Sequence, residues 1–377
     1  MDPIVISAGA LLVLVALIDV FLTVLYARIG MGLLTPRLYR ATWLSFKAVA
    51  RGKKESRDLV LSFAGPLMMV ETVVVWGLLM LCGFALIYWP SLGEGIQASS
   101  GSTPTDFWSA FYYSGYSFTT LGTGDLVPKT AIFRILMVVQ AWIGFAVLTL
   151  TLTYLMSVYS ALVRRNTLAQ VLHHMTGGTA DPVELVGGLA GGGPESASSQ
   201  LMDLGARILN LLESHHSYPI LHYFRMRDPR YAMSRIAYIA LETATLIDEA
   251  LGSQFDGLKR SAGLKLLSGS GRDLLEQTSS SFLKGAAKRN VHRDDRQSFN
   301  AAICKLDNCG IDTVHQGRAT GYSSARSKWF PTVEAFAELM AYRMDEIVPH
   351  QSSSDTTAGN PEMADCLHPG ATEPGNS

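Results

Sequence analysis

A short run of threonine and glycine residues carries the clearest chemistry in the sequence. It reads Thr119-Thr120-Leu121-Gly122-Thr123-Gly124-Asp125. Glycine adopts backbone angles that other residues resist, so alternating glycines allow successive carbonyl groups to face the same side. A ring of such carbonyl oxygens replaces the water around a dehydrated monovalent cation. The run therefore predicts a cation site that is built from the backbone rather than from charged side chains.

The segment before this run is aromatic and covers residues 106–118. At about 13 residues it is too short to span a bilayer and long enough for a half-membrane helix. Asp106 follows Pro104 and predicts an N-terminal cap. Non-helical backbone is tolerated at membrane depth only where protein buries it or water lines it. The pattern therefore predicts a re-entrant pore helix at 106–118 followed by a filter at 119–125.

In this context the sequence resembles the TTVGYGD-type filter of potassium channels. The resemblance covers roughly residues 65–160 and implies the bacterial two-transmembrane pore-domain type, here with an extra N-terminal helix. It implies K⁺ as the permeant ion, with no cofactor and no resident metal. Thr119 begins the motif. Thr120 would supply a hydroxyl and a carbonyl, and the next three residues would supply carbonyls. Gly124 would shape the outer mouth, with Asp125 behind it.

Three tyrosines are implied to support the filter. Tyr112 and Tyr113 occupy positions where the family often has an aromatic cuff. Tyr116 stands where some members carry a buried Glu, and its hydroxyl would reach toward Asp125. Thr123 replaces the tyrosine whose ring braces the filter in the family. A weakly selective monovalent cation channel is therefore the alternative to a potassium channel, and a non-conducting membrane receptor with a vestigial pore is another.

The third apolar segment would line the inner pore. Gly144 lies about twenty residues past Gly124, where the family often has a gating-hinge glycine. Close helix packing is an equally good interpretation of this glycine. A helical stripe could narrow the inner mouth and gate by dewetting under control of the cytoplasmic domain. Lipid-facing or interhelical packing is the alternative for these residues, which are Leu148, Leu152, Leu155 and Tyr159.

Three apolar stretches are long enough to span a bilayer, at 4–26, 67–89 and 135–158. The region between the first two is rich in Lys and Arg, which favours a cytoplasmic location. The N-terminus is then predicted outside and the C-terminus inside. The expected location is the bacterial inner membrane. One re-entrant loop cannot encircle an ion, so closed cyclic symmetry predicts a C4 homotetramer.

The fold class predicted is an all-α membrane protein, with an outer helix, a re-entrant pore helix and filter, an inner helix and an α-helical cytoplasmic domain. The net charge of −1 gives no bulk electrostatic reason to expect nucleic acid. No pairing of a nucleophile with a base supports an enzyme, and no regulatory ligand can be identified. The predicted divisions are an N-terminal transmembrane helix at 1–27, a cytoplasmic basic loop at 28–64, a pore domain at 65–165, a flexible linker at 166–198, a helical domain at 199–348 and a disordered tail at 349–377.

A few titratable residues stand apart from the filter. Asp19 and Glu71 lie inside apolar segments, where an acid by default suggests function. Two interpretations stay open. The two acids share a proton or pair with each other, or each faces its own helix partner. His215, His216 and His222 lie near Glu213, and His173 and His174 follow the third segment. The first group is a candidate for a metal or pH-sensing site, with a polar loop as the alternative, and the second group is another candidate sensor.

Overall fold

The computed structural model describes residues 2–26, 32–50, 54–282, 295–314 and 318–348. The chain divides into two compact units. Unit 1 comprises residues 1–162 together with Ser214–Arg225, and unit 2 comprises Val163–Glu213 and the chain from Met226 onward. The tail predicted as disordered lies outside the described residues.

Unit 1 contains the helices that are long and apolar enough to cross a membrane, at Pro3–Leu25, Lys54–Ser91 and from Ala131. Its elements are α1 (Pro3–Val20, continued by a π-helical turn at Phe21–Leu25), α2 (Thr35–Val49), α3 (Lys54–Ser62), α4 (Ala64–Tyr88), β1 (Ile96–Ala98), α5 (Phe107–Phe118), β2 (Leu126–Pro128) and α6 (Ala131–Met175). The three spans and the all-α class are as predicted. The region predicted as a basic loop differs, because it contains the amphipathic helices α2 and α3.

The first membrane helix packs along the second. α1 and α4 approach each other most closely where two glycines meet. A Cβ on Gly9 would lie 2.5 Å from the carbonyl oxygen of Gly83, and a Cβ on Gly83 would lie 2.9 Å from that of Gly9. Small residues at such crossings let helix backbones come together in a membrane. The additional helix is therefore seated on the outer helix by close backbone contact.

A segment from the second half of the sequence belongs to unit 1. Within residues 214–225, the ring of Tyr223 makes edge contacts with Tyr39 and Trp43 of α2. The buried Arg225 Nη2 lies 2.7 Å from Asp58 Oδ1 of α3. The predicted helical domain at 199–348 is thus divided, and part of it completes unit 1.

Unit 2 is helical, with α9 at its centre. After the C-terminal part of α6 it contains α7 (Pro182–Gly191), α8 (Pro194–Ser217), α9 (Met233–Glu249), α10 (Asp256–Lys259), α11 (Ala262–Phe282), α12 (Arg296–Asn308), α13 (Ala319–Ser327), α14 (Phe330–Leu339) and α15 (Met344–Ile347). Nearly every α9 residue is buried, and α7, α11, α13 and α14 pack around it. Burial on all sides makes α9 the core helix of the unit.

The structure differs from the predicted flexible linker at 166–198. α6 continues to Met175, and α7 begins at Pro182 with Asp181 as its cap. Asp181 Oδ1 accepts a hydrogen bond from Val183 N at 3.0 Å. Glycine within a helix costs only about 1 kcal/mol relative to alanine, so an apolar face that is buried can hold the helix together. Leu185, Val186 and Leu189 supply that face.

Candidate functional site

The helix α5 begins after the charged cap residue Asp106 and ends at the Thr-Gly run, residues 119–125. Asp106 Oδ1 accepts a hydrogen bond from Ser109 N at 3.1 Å, and Oδ2 accepts one from Ser109 Oγ at 2.7 Å. These bonds hold the pKa of Asp106 below its usual value because they favour the carboxylate. The other end of the helix is capped by Thr119. The partially negative end of α5 therefore leads directly into the Thr-Gly run.

The backbone of the run alternates in handedness. Thr120, Gly122 and Gly124 have φ values of +58°, +63° and +76°. The residues between them are not among the positive-φ residues. Leu121 N donates to Tyr116 O at 2.9 Å and so ties the run to the end of α5. Alternating left-handed and right-handed residues turn successive carbonyls toward one side of a chain, a geometry that glycine permits at little cost.

All seven residues of the run are exposed in the single chain. Leu121 is 71% exposed, although it is a large apolar side chain. On α5, Trp108 and Tyr112 are also exposed, at 73% and 44%. Large exposed apolar patches mark surfaces that meet a membrane or another protein.

The side chain of Thr123 links Tyr112, a predicted support residue, to Asp125 at the end of the run. Tyr112 OH lies 3.2 Å from Thr123 Oγ1, which donates to Asp125 Oδ1 at 2.6 Å. The bond from Thr123 lowers the pKa of Asp125 because it stabilises the carboxylate. Tyr116 OH donates to the Leu126 carbonyl, rather than reaching Asp125 as the resemblance implies. Tyr113 lies buried beside Tyr116, with ring centroids 5.3 Å apart.

A small hairpin holds the C-terminal end of the run. β1 and β2 pair antiparallel, with Gln97 opposite Val127. Ser99 N donates to the Asp125 carbonyl at 2.8 Å, and Lys129 N donates to the Gly95 carbonyl at 2.8 Å. The end of the run is therefore fixed by backbone bonds, which do not depend on the identity of the outer side chains.

A buried amide connects α4, α5 and α6, and the sequence patterns did not single it out. Gln140 of α6 is fully buried. Its Oε1 accepts from Tyr88 OH at 2.9 Å, and its Nε2 donates to Ser114 O at 3.0 Å. Ser114 Oγ in turn donates to the Leu81 carbonyl at 3.0 Å. The sequence does show Gln140 as an uncharged amide within an apolar span. An amide that is buried there needs hydrogen-bond partners.

We expect Gln140→Leu to loosen α5, because the hydroxyl of Tyr88 would lose its acceptor in a buried site. The expected loss of stability is about 1–3 kcal/mol. Thermal unfolding of the purified variant in detergent measures this loss. Gln200→Leu is the control, because this glutamine of α8 is exposed and its bond to Ser196 Oγ lies at the surface. Equal unfolding midpoints for Gln140→Leu and the parent chain would contradict the role assigned to the amide.

Gly144 lies against the C-terminal end of α5. A Cβ at this position would come within 2.1 Å of the Phe118 carbonyl oxygen. This distance is far shorter than any real carbon–oxygen contact, and the obstructing atom belongs to the backbone. Of the two interpretations open from sequence, this geometry supports close packing. The hinge stays a prediction.

We expect Gly144→Ala to displace the end of α5, because the added methyl group overlaps the Phe118 carbonyl. Overpacking of this kind costs about 1–3 kcal/mol. The matched control is Gly77→Ala in α4, where an added Cβ meets no atom within 4 Å. Thermal unfolding in detergent compares the two. A midpoint for Gly144→Ala at or above that of Gly77→Ala would contradict the expectation.

The four residues of the predicted inner stripe lie on one stretch of α6. Leu148, Leu152 and Tyr159 are exposed, at 57%, 56% and 49%, and Leu155 is partly buried. The ring of Tyr159 also makes an edge contact with Phe224. The stripe is available to other chains or to lipid, with Tyr159 partly covered by the segment at 214–225.

The two intramembrane acids have different partners. Asp19 is 1% exposed and accepts three hydrogen bonds: from Leu34 N at 2.7 Å, Thr35 Oγ1 at 2.7 Å and Trp76 Nε1 at 2.8 Å. Glu71 is half-buried and accepts one from Thr42 Oγ1 at 2.6 Å. The pattern favours separate helix partners over a shared proton.

The histidines are only partly brought together. The rings of His215 and His222 lie 4.3 Å apart and are buried, while His173 and His174 are neighbours with centroids 5.5 Å apart. Within the described residues, no group of three or more His, Cys, Asp or Glu side chains is arranged to hold a metal ion.

Comparisons with known proteins agree with this geometry. Residues 72–161 match the model of a protein family described as ion channel. The chain is also similar to the uncharacterized membrane protein YdjJ of Bacillus subtilis (strain 168), with 29% identity over 247 residues, or 65% of this chain and 68% of the relative. No solved structure matches the chain. The matches support an ion channel in a membrane protein and favour a non-enzymatic function.

Proposed function

We propose that the protein is a C4 homotetrameric channel that conducts K⁺ passively through a filter at Thr119–Asp125. The observation that carries the proposal is the alternation of left-handed φ at Thr120, Gly122 and Gly124. Four copies of this backbone would surround one axis with carbonyl oxygens and replace the hydration shell of the ion. Asp106 and Asp125 add acidic groups at the two ends of the re-entrant segment.

The exposure of the run supports assembly of several chains. A single chain leaves all seven filter residues open to solvent, and Trp108 and Tyr112 beside them expose aromatic surface. A neighbouring copy would cover this surface, and cyclic closure is the common arrangement for such contacts. We place the N-terminus outside and the C-terminus inside a bacterial inner membrane, on the basis of the Lys- and Arg-rich region before α4.

The test is ion flux from purified protein in liposomes. A K⁺ gradient should drive flux that barium or a quaternary ammonium ion blocks, and chemical cross-linking should trap a tetramer. Liposomes that contain the correctly oriented, folded protein and show no flux would contradict conduction and favour a receptor with a vestigial pore.

A weakly selective monovalent cation channel is the second candidate, and Thr123 favours it. The Thr123 hydroxyl bonds to Asp125 within its own chain, and its short side chain has no ring to brace the filter. Reversal potentials in mixed K⁺ and Na⁺ separate the two candidates. A reversal potential near the K⁺ equilibrium value supports the first, and one near zero in symmetric total cation supports the second.

We also propose that the inner stripe forms the gate. Leu148 and Leu152 are exposed on α6, and apolar constrictions close pores by dewetting. A Leu152→Ser variant should raise the open probability in single-channel recordings because a hydroxyl favours water in the constriction. An unchanged open probability would place the gate elsewhere.

A further inference from the structure

Unit 2 contains a cavity of about 270 Å³ to which the comparisons assign no role. It lies among α7, α9, α12, α13, α14 and α15. Its polar lining combines acids, bases and hydroxyl groups, namely Asp181, Glu242, Ser298, Lys305, Tyr322, Arg326 and Asp345. Ligand sites for small molecules are concave, with a few polar groups placed among apolar ones. A cavity of this volume has room for a small organic molecule.

Two buried atoms at the wall of this cavity have unused hydrogen-bonding capacity. Glu242 Oε2 and Arg326 Nε lie 3.2 Å apart as an ion pair. Neither atom makes a hydrogen bond to a described residue. Glu242 and Arg326 are 4% and 5% exposed. A buried polar atom without a hydrogen bond is costly, so Glu242 Oε2 favours a donor from a ligand or water, and Arg326 Nε favours an acceptor such as water.

The charged side chains around these two atoms carry a net negative charge. Arg326 is shared between two carboxylates, because its Nη1 also lies 2.9 Å from Asp295 Oδ1. Lys305 is matched by Asp181, with Nζ and Oδ2 2.7 Å apart. Tyr322 OH donates to Glu242 Oε1, so Oε2, which is ion-paired with Arg326, is the carboxylate oxygen that accepts no hydrogen bond. A group of one Arg and two carboxylates carries a net charge of −1 and attracts a cation.

The remaining walls are aromatic and apolar. Tyr238 and Phe330 line the cavity with Val183, Leu246 and Met344. The guanidinium of Arg326 lies 4.2 Å from the centre of the Phe330 ring, so this ring already makes one cation–π contact. Aromatic faces attract ammonium groups and also accommodate hydrocarbon. An occupant with one positive charge and a short carbon chain fits these walls better than an inorganic ion.

We propose that this cavity binds a small organic amine, whose ammonium group donates to Glu242 Oε2 and whose carbon chain packs against Tyr238 and Phe330. The proposal extends beyond ion conduction and needs no other copy of the chain. It assigns unit 2 a ligand-binding role for a singly charged amine of about two to five carbons.

The test is calorimetric titration of the full chain in detergent with 3-methylbutylamine, 2-aminoethanol and the neutral analogue 3-methylbutanol. At least one amine should bind saturably and the alcohol should bind at least tenfold more weakly. Glu242→Gln should weaken amine binding at least about tenfold because it removes a charged acceptor. Glu249→Gln is the control, since this residue lies on the same helix outside the cavity.

A second variant covers the case in which Glu242→Gln fails to fold. Ser298 is partly buried at the cavity wall, and Ser298→Leu should block binding by filling space. Absence of saturable amine binding to the folded parent chain would overturn the proposal, as would amine binding that both variants leave intact. Because the readout is heat of binding, its result is independent of whether the channel conducts.

The pH dependence of binding gives a further check. Burial raises the pKa of Glu242, while Arg326 and the bond from Tyr322 lower it. The other acids that act on it are Asp295 and Asp181. A protonated Glu242 cannot pair with an ammonium group, so amine affinity should fall as pH falls through the raised pKa. Affinity that rises on acidification would contradict the role of Glu242.

Discussion

A Gly122→Ala variant should lose K⁺ flux while it keeps its helical content. Gly122 has φ of +63°, where an L-residue is strained by roughly 1–2 kcal/mol. The proposed tetramer would carry the change four times, so its ring as a whole would be strained by roughly 4–8 kcal/mol. The backbone relieves that strain by rotating, which turns carbonyl oxygens away from the axis. We expect liposome flux to fall at least about 100-fold.

Gly101→Ala is the matched control for this variant. Gly101 also has a left-handed backbone, with φ of +77°, and its Cβ would meet no atom within 4 Å. It lies between β1 and α5, away from the run at 119–125. The control therefore carries the same local strain without touching the filter. Equal flux from Gly122→Ala and the parent chain, or equal loss in both variants, would contradict the assignment of the filter.

An Asp19→Asn variant should show a large loss of stability in unit 1. Two donors meet Oδ2 of Asp19 and one meets Oδ1. An amide has one acceptor oxygen, so its NH₂ group must face at least one of these donors. Losing a hydrogen bond to a buried charged group and leaving a donor unsatisfied costs about 2–4 kcal/mol. The thermal unfolding midpoint in detergent should fall by roughly 5–10 °C.

Glu71→Gln provides the comparison for Asp19. Glu71 accepts one hydrogen bond, from Thr42, and is only half-buried. Glutamine keeps an acceptor oxygen for that bond, so the midpoint should fall by less than about 3 °C. If the two variants lower the midpoint equally, the three bonds to Asp19 do not distinguish it from Glu71. If Asp19→Asn has no effect, the carboxylate is not a structural link between α1, α2 and α4.

Local patterns were sufficient to predict the spans and the pore helix, and they also single out the Thr-Gly run. Continuous apolar stretches predicted the three membrane helices, because the bilayer sets their length. The Thr-Gly alternation predicted a filter, because only glycine adopts left-handed angles at little cost. The aromatic segment before it predicted α5 to within one residue at its start. The assignment of function to these residues stays a proposal that the flux measurements test.

Other features depend on contacts between residues that are distant in the sequence, and only the tertiary structure determines these. The glycine-rich stretch at 182–191 predicts no regular element, yet it forms α7 because its apolar residues pack against α9. The Arg225–Asp58 pair joins residues 167 positions apart, and Glu242 meets Arg326 across two helices. The structural roles of Gln140 and Gly144 depend on α5. Gln140 bonds to Ser114, and Gly144 lies against Phe118.

Some features can be predicted from the sequence and others cannot, because some interactions act between neighbouring residues and others between distant ones. Helix periodicity, span length and the backbone freedom of glycine are properties of neighbouring residues, so the sequence displays them directly. A buried hydrogen bond or ion pair is stabilising only when a distant residue brings the complementary group to within about 3 Å. Which residues do so depends on how the helices pack, and that packing exists only in the folded chain.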